Sequence, residues 1–202
     1  MCAAPLSRLV VATSNQGKLA EFQALLEPLS ITVSAQGEFN IPDAPEPHHT
    51  FLENALEKAR HAARLTGHAA LADDSGLCVD ALQGAPGVLS ARYAGEPRSD
   101  ARNNQALLAA LHGIEDRRAH YLCALVLMRH ALDPEPLVAL ARMDGVIVDA
   151  PRGSNGFGYD PYFLIPSLRQ TAAELEPAHK NAISHRGLAM RSMLSQLKSL
   201  SS

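Results

Sequence analysis

Ala69-Ala70-Leu71-Ala72-Asp73-Asp74-Ser75-Gly76-Leu77 joins a short apolar run to two adjacent carboxylates, a hydroxyl and a glycine. A run of that length ending in Asp-Ser-Gly predicts a buried strand that opens into a tight turn. Carboxylates at a strand end stand where hard cations and phosphates can meet them. Asp, Ser and Gly are also ordinary turn residues, because Asp and Ser bond their own backbone and Gly tolerates positive φ. Alone, the stretch reads either way.

Upstream, Leu9-Val10-Val11-Ala12 predicts the first buried strand. It runs into Thr13-Ser14-Asn15-Gln16-Gly17-Lys18, after which Leu19, Phe22, Leu25 and Leu26 recur at helical spacing. Strand, polar loop and helix present backbone N–H groups to an anion, and Lys18 adds a compact cation. The loop also reads as a plain connection capped by Ser14 or Asn15. It is not a Walker loop, because Ala12 stands where that motif needs glycine and Leu19 follows the lysine. Ile31-Thr32-Val33 predicts a second strand. The three prolines of Ile41–Pro47 predict extended loop, which either carries Glu46 to a site or leaves it solvated. Thr50 and Glu53 form a capping box, and Leu52, Leu56, Ala59 and Ala63 share a face, so Thr50–Leu65 reads as a helix closed by Gly67. Asn54 and Lys58 lie four apart on another face, where Lys58 is either a solvated charge or a phosphate contact.

Downstream, Gly84-Ala85-Pro86-Gly87 predicts a tight turn, and Arg92-Tyr93 is either a ligand contact or a surface pair. Ser99 caps a helix through Leu107, Leu108 and Leu111. Tyr121–Met128 is nearly continuous apolar sequence and predicts a central strand buried on both faces. After the turn Asp133-Pro134-Glu135-Pro136, Leu137–Ala141 reads as its hairpin partner and Gly145–Val148 as a further short strand. In Gly153-Ser154-Asn155-Gly156-Phe157-Gly158-Tyr159-Asp160-Pro161, interleaved glycines and rings suit either a flat stacked ligand or a turn with its aromatics in the core. Thr171 and Glu174 form another capping box, with Pro177 ending that turn. Ser184 caps a closing helix whose Met190, Met193, Leu194 and Leu197 face the core. Lys180, His185 and Arg186 gather at its start, where cations gain nothing from the helix dipole. Their placement reads either as a requirement other than helix stability or as surface chance.

Composition narrows the class. Of 202 residues 47% are hydrophobic and 19% charged, the balance of a globular protein able to build a core. A net charge of −3 argues against a broad nucleic-acid surface but allows a local basic cluster for one phosphate ligand. Cys2, Cys78 and Cys123 have no C-x-x-C spacing, which argues against a disulfide framework or zinc site. No apolar run reaches membrane-spanning length, and Met1-Cys2-Ala3-Ala4-Pro5 lacks a secretory pattern. The expectation is a cytoplasmic protein with neither nucleic-acid nor membrane partner. Strand and helix alternation without repeats or linkers indicates an α/β fold.

The separate signals together resemble the inosine triphosphate pyrophosphatase family, which hydrolyses deaminated purine nucleotides such as dITP, ITP and XTP. Five motifs occur in that family's order: Thr13–Lys18; Thr50-Phe51-Leu52-Glu53-Asn54-Ala55 with Lys58; Ala72–Leu77; Gly156–Pro161; and Ser184-His185-Arg186-Gly187. The resemblance implies one domain over residues 1–202, an elongated mixed sheet with flanking helices forming two lobes around a central nucleotide cleft. It implies that Thr13, Ser14, Asn15, Gln16, Gly17 and Lys18 hold the triphosphate with help from Lys58. Asp74 would be general base and Mg²⁺ ligand, Asp73 its supporting neighbour, and Glu46 the second metal ligand. Ser75 would touch the nucleotide, while Phe157, Gly158, Tyr159, Asp160, Lys180, His185 and Arg186 would form the purine pocket. The products would be a nucleoside monophosphate and pyrophosphate, and the enzyme a homodimer. Ser14 replaces a frequent glycine, and Glu46-Pro47-His48-His49 and Ala178-His179 depart from the usual approaches to the second and fifth motifs. Adjacent strand aspartates should face opposite ways, and donors such as Lys180 and Arg186 suit the O6 of a 6-oxo purine. The competing classes are a nucleotide-binding protein of this fold without catalysis, and an unrelated hydrolase using Ser75 and His185, for which the G-x-S-x-G elbow is missing.

Overall fold

A computed structural model of the protein describes residues 8–27 and 31–200. The Met1–Pro5 segment with Cys2 lies outside the described residues, as does the side chain of Leu25. Among the described residues seven strands are hydrogen-bonded in the order β2-β1-β3-β4-β5-β6-β7. They are β1 (Arg8–Val11), β2 (Thr32–Ala35), β3 (Ala69–Val79), β4 (Arg118–Met128), β5 (Leu137–Ile147), β6 (Phe163–Ile165) and β7 (Gln170–Thr171). The helices are α1 (Gln16–Leu26), α2 (Phe51–Thr66), α3 (Asp100–Ala110), α4 (Pro177–Ile183) and α5 (His185–Leu200). β1 pairs in parallel with both β2 and β3, while β6 is antiparallel to β5 and β7. The sheet is therefore mixed and the fold α/β, as expected.

The chain divides into two compact units. Unit 1 comprises residues up to Asp74, Cys123–Leu140 and Gly187 onward. It holds β1, β2, the first part of β3, α1 and α2, and Leu9, Val10, Phe22, Ala55, Ala59, Leu71, Met190 and Met193 are buried in its interior. Unit 2 comprises Ser75–Leu122 and Ala141–Arg186. Leu77, Val79, Leu107, Leu111, Tyr121, Met143, Tyr159 and Phe163 form one cluster at its centre. Among the described residues no helix is long and apolar enough to cross a membrane.

Local signals in the sequence fix most helix ends. Thr50 caps α2 by accepting from the Glu53 N–H, and Gly67 closes it at φ 69°. Ser99 caps α3, and Asn15 rather than Ser14 caps α1. Three readings change. β3 does not turn at Asp73-Asp74-Ser75-Gly76 but runs on as strand to Val79. The turn reading assumed carboxylates bonding their own backbone, whereas here they are bonded by lysines of flanking helices, and the backbone stays in the sheet. Leu137–Ala141 and Gly145–Val148 are not two strands, because β5 runs unbroken from Leu137 to Ile147. Pro177 opens α4 at its first turn instead of ending a segment, a position where its missing N–H costs nothing.

Candidate active site

In unit 1, β3 alternation sends the two aspartates to opposite faces, and each meets a different lysine. Asp73, its side chain fully buried, pairs with Lys18 Nζ at 3.1 Å from the first turn of α1. Asp74 Oδ1 pairs with Lys58 Nζ at 2.8 Å. Asp74 Oδ2 accepts from Asn54 Nδ2 at 3.2 Å. Asn54 and Lys58 are one helical turn apart on α2, so a single face engages both oxygens of one carboxylate. Lys58 Nζ also donates to Glu46 Oε1 at 3.0 Å. The proline-rich segment that brings Glu46 there is fastened by Asn54, whose Oδ1 accepts from the His48 N–H at 3.0 Å and whose Nδ2 donates to the His48 carbonyl at 3.3 Å.

Burial opposes the charge on Lys58, yet the carboxylates of Asp74, Asp73 and Glu46 outweigh it and hold the ammonium above its ordinary range. At Asp74 burial dominates and raises the carboxyl, with Lys58 and Lys18 pulling the other way. A raised carboxyl is the better proton acceptor, which is what a general base requires.

The loop ahead of α1 is polar and largely exposed at Ser14, Asn15 and Gln16. Thr13 Oγ1 accepts from the Asn15 N–H at 3.2 Å, and Asn15 Oδ1 accepts from the Lys18 N–H at 3.1 Å. The first turn of α1, which includes Gln16, Gly17 and Lys18, carries no acidic residue, so the positive end of the helix is left to an anion. A pocket of 310 Å³ opens beside the loop, lined by Thr13, Ser14, Gln16, Gln36 and Asp43 among others.

Unit 2 holds the second cluster. Lys180, His185 and Arg186 are all buried. His185 and Arg186 open α5, whereas Lys180 lies in the last turn of the separate helix α4, where a cation does not oppose the dipole. Asp160 is the hub. Its Oδ2 accepts from Lys180 Nζ at 2.7 Å and from the Phe157 N–H at 2.9 Å, and its Oδ1 accepts from the Tyr121 hydroxyl at 3.3 Å. Arg186 Nη2 donates to Ser75 Oγ at 2.9 Å. Lys180 Nζ and Arg186 Cζ lie 5.0 and 6.0 Å from the centre of the half-buried Phe157 ring. Gly156, at φ 77°, passes so close that a Cβ there would stand 2.1 Å from Asp160 Oδ2. Gly158 is clamped by α3, its N–H donating to Asp100 Oδ2 at 2.7 Å and its carbonyl accepting from Asn104 Nδ2 at 2.9 Å. The two readings of this loop divide between its rings: Tyr159 is core, its hydroxyl donating to the Ser90 carbonyl at 2.8 Å, whereas Phe157 stays at the cations.

Sequence reasoning gave Asn54, Asp100, Asn104 and Tyr121 no role in the site. Asn54 had a signal, its four-residue spacing from Lys58. The α3 clamp and Tyr121 had none, because their partners lie 39 to 58 residues away in the chain.

The Ham1 family matches residues 9–196. The chain belongs to the Ham1 family. A protein of Ralstonia nicotianae named dITP/XTP pyrophosphatase is 58% identical over 196 residues, covering 96% of this chain and 98% of that relative. One of the same name from Burkholderia pseudomallei is 59% identical over 194 residues, covering 95% and 93%. The solved structure of a HAM1 protein from Coxiella burnetii superposes with a TM-score of 0.89 at 50% identity, covering 95% of this chain and 98% of that one. The resemblance carried by the five motifs is borne out. Membership of the Ham1 family beside relatives that bear an enzyme's name leaves the inactive-binder alternative without support.

Proposed function

We propose that this Ham1-family protein hydrolyses non-standard purine nucleoside triphosphates, dITP and XTP foremost, to the nucleoside monophosphate and pyrophosphate. The observation that carries the reading is Lys58 joined to both Glu46 and Asp74, with Asn54 on the other Asp74 oxygen. That arrangement is a held base beside a cation, in a chain whose relatives are named dITP/XTP pyrophosphatase. Water attacks one phosphorus of the α–β anhydride, the bridging P–O bond breaks, pyrophosphate leaves, and Asp74 takes the proton of the attacking water. Lys18, Lys58 and the N–H groups at the start of α1 face the growing negative charge. Asp73 acts through Lys18, keeping that ammonium against β3.

Glu46 and Asp74 offer hard oxygens converging on one Nζ, a donor set that fits Mg²⁺, which needs only one or two carboxylates plus substrate phosphates. Glu46 and Asp74 would hold the ion together with the phosphates of the substrate. When bound, Mg²⁺ neutralises phosphate charge. Phe157, Gly158, Asp160, Lys180, His185, Arg186 and Ser75 read the base, their donors favouring a 6-oxo purine over the 6-amino group of adenine. The reading carries with it a cytoplasmic homodimer.

Pyrophosphate release measured over dITP, XTP, dGTP and dATP with Mg²⁺ tests the reaction, and orthophosphate as the sole product would sink it. Asp74→Asn should still bind dITP while turnover falls at least about a hundredfold. Unaltered turnover removes Asp74 from the chemistry.

A further inference from the structure

Tyr121 lies in the apolar run of β4, and nothing in its sequence surroundings separates it from the core residues beside it. Three contacts do. Its ring stacks on the His185 imidazole with centroids 4.8 Å apart and planes 11° from parallel. Its hydroxyl donates to Asp160 Oδ1. It also packs on Phe163, centroids 4.6 Å apart and planes tilted by 47°. One side chain therefore touches Asp160, which holds Lys180 and the Phe157 backbone, and His185, which opens α5. We infer that Tyr121 is a positioning residue for base recognition, setting the Asp160–Lys180 pair and the His185 ring in fixed register. This rests on the proposed reading of that cluster as the purine reader.

The physical case is one of shared constraint. A buried carboxylate bonded on one oxygen by Lys180 and Phe157 can still pivot about its own Cβ–Cγ bond; a donor on the other oxygen stops the pivot. Lys180 moves with Asp160, so the direction in which its ammonium presents donors to a base depends on the Tyr121 hydroxyl. The imidazole meets the same phenol ring face to face, so its plane is set by Tyr121 as well. Burial and the neighbouring Asp160 carboxylate hold the phenol far above its ordinary pKa, so it stays a donor throughout the working pH range.

Tyr121→Phe keeps both ring contacts and removes only the donor. With dITP its KM should rise about tenfold, kcat should fall by less than that, and the dITP-over-dATP preference in kcat/KM should shrink about tenfold, the size of one hydrogen bond to a charged group. Tyr121→Leu, which also loses the stack, should lower the preference further and shift the His185 imidazole resonances in NMR spectra of the nucleotide-free protein. Wild-type enzyme assayed alongside separates the two failures. If wild type turns over dITP and Tyr121→Phe keeps its KM and preference, the positioning role is overturned and the proposed function stands. If wild type shows no pyrophosphate release from any purine triphosphate, the reading of the cluster falls and the role with it. A Tyr121→Phe variant that loses kcat and melting temperature with KM and preference unchanged is a core mutant, which also overturns the role.

Discussion

Asp73 and Asp74 are neighbours of identical chemistry with opposite surroundings, and their variants should separate accordingly. The Asp73 side chain is fully buried against Lys18, whereas that of Asp74 is 10% exposed and bound by Lys58 and Asn54. Asp73→Asn leaves the Lys18 charge facing a neutral amide in a closed site, which should cost about 1–3 kcal/mol of stability and reduce turnover modestly. Asp74→Asn should do the reverse, with a small change in melting temperature and a large loss of turnover. Paired thermal melts and steady-state assays on the two variants check this. Equal effects on both quantities would mean that the face of β3 does not decide the role.

The connection from β4 to β5 makes a second prediction, free of the active site. Asp133, buried, accepts from the Arg129 N–H at 3.0 Å, Arg129 Nε at 2.7 Å, Arg129 Nη2 at 2.5 Å and the Glu135 N–H at 3.1 Å. The Arg129 side-chain bonds hold its carboxyl well below the usual range, against the effect of burial. A carboxyl lowered in the folded state stabilises above its unfolded pKa of about 3.9 and loses that contribution as pH falls through the folded value. Asp133→Ala should therefore cost about 2 kcal/mol near pH 7, and its deficit against wild type should narrow once the pH drops below about 4. Circular-dichroism melts at matched ionic strength would show it; a constant gap from pH 7 to pH 3 would place the cost in packing instead.

For the assembled protein, the proposed homodimer predicts a mass of twice the 21.6 kDa chain by light scattering, and the chain mass alone would remove it. How far the sequence carries is visible in particular residues. Caps at Thr50 and Ser99 and the closing Gly67 were legible because each acts within four residues of its partner, while at α1 the sequence left Ser14 and Asn15 open and the structure chose Asn15. The candidate site was legible through its five motifs, but not its wiring. Nothing local distinguishes a strand from a turn at Asp73-Asp74-Ser75-Gly76, because the same side chains bond their own backbone in one case and distant lysines in the other. The sequence by itself determined the α/β class, the caps of α2 and α3 and which residues carry charge or rings. Only the tertiary structure decided that β3 runs through its aspartates, that Lys18 takes Asp73 while Lys58 and Asn54 take Asp74, and that Tyr121 meets Asp160 and His185. Those choices depend on partners that β3 and β4 meet only once the helices and loops have packed, and burial then makes leaving such groups unpaired too costly.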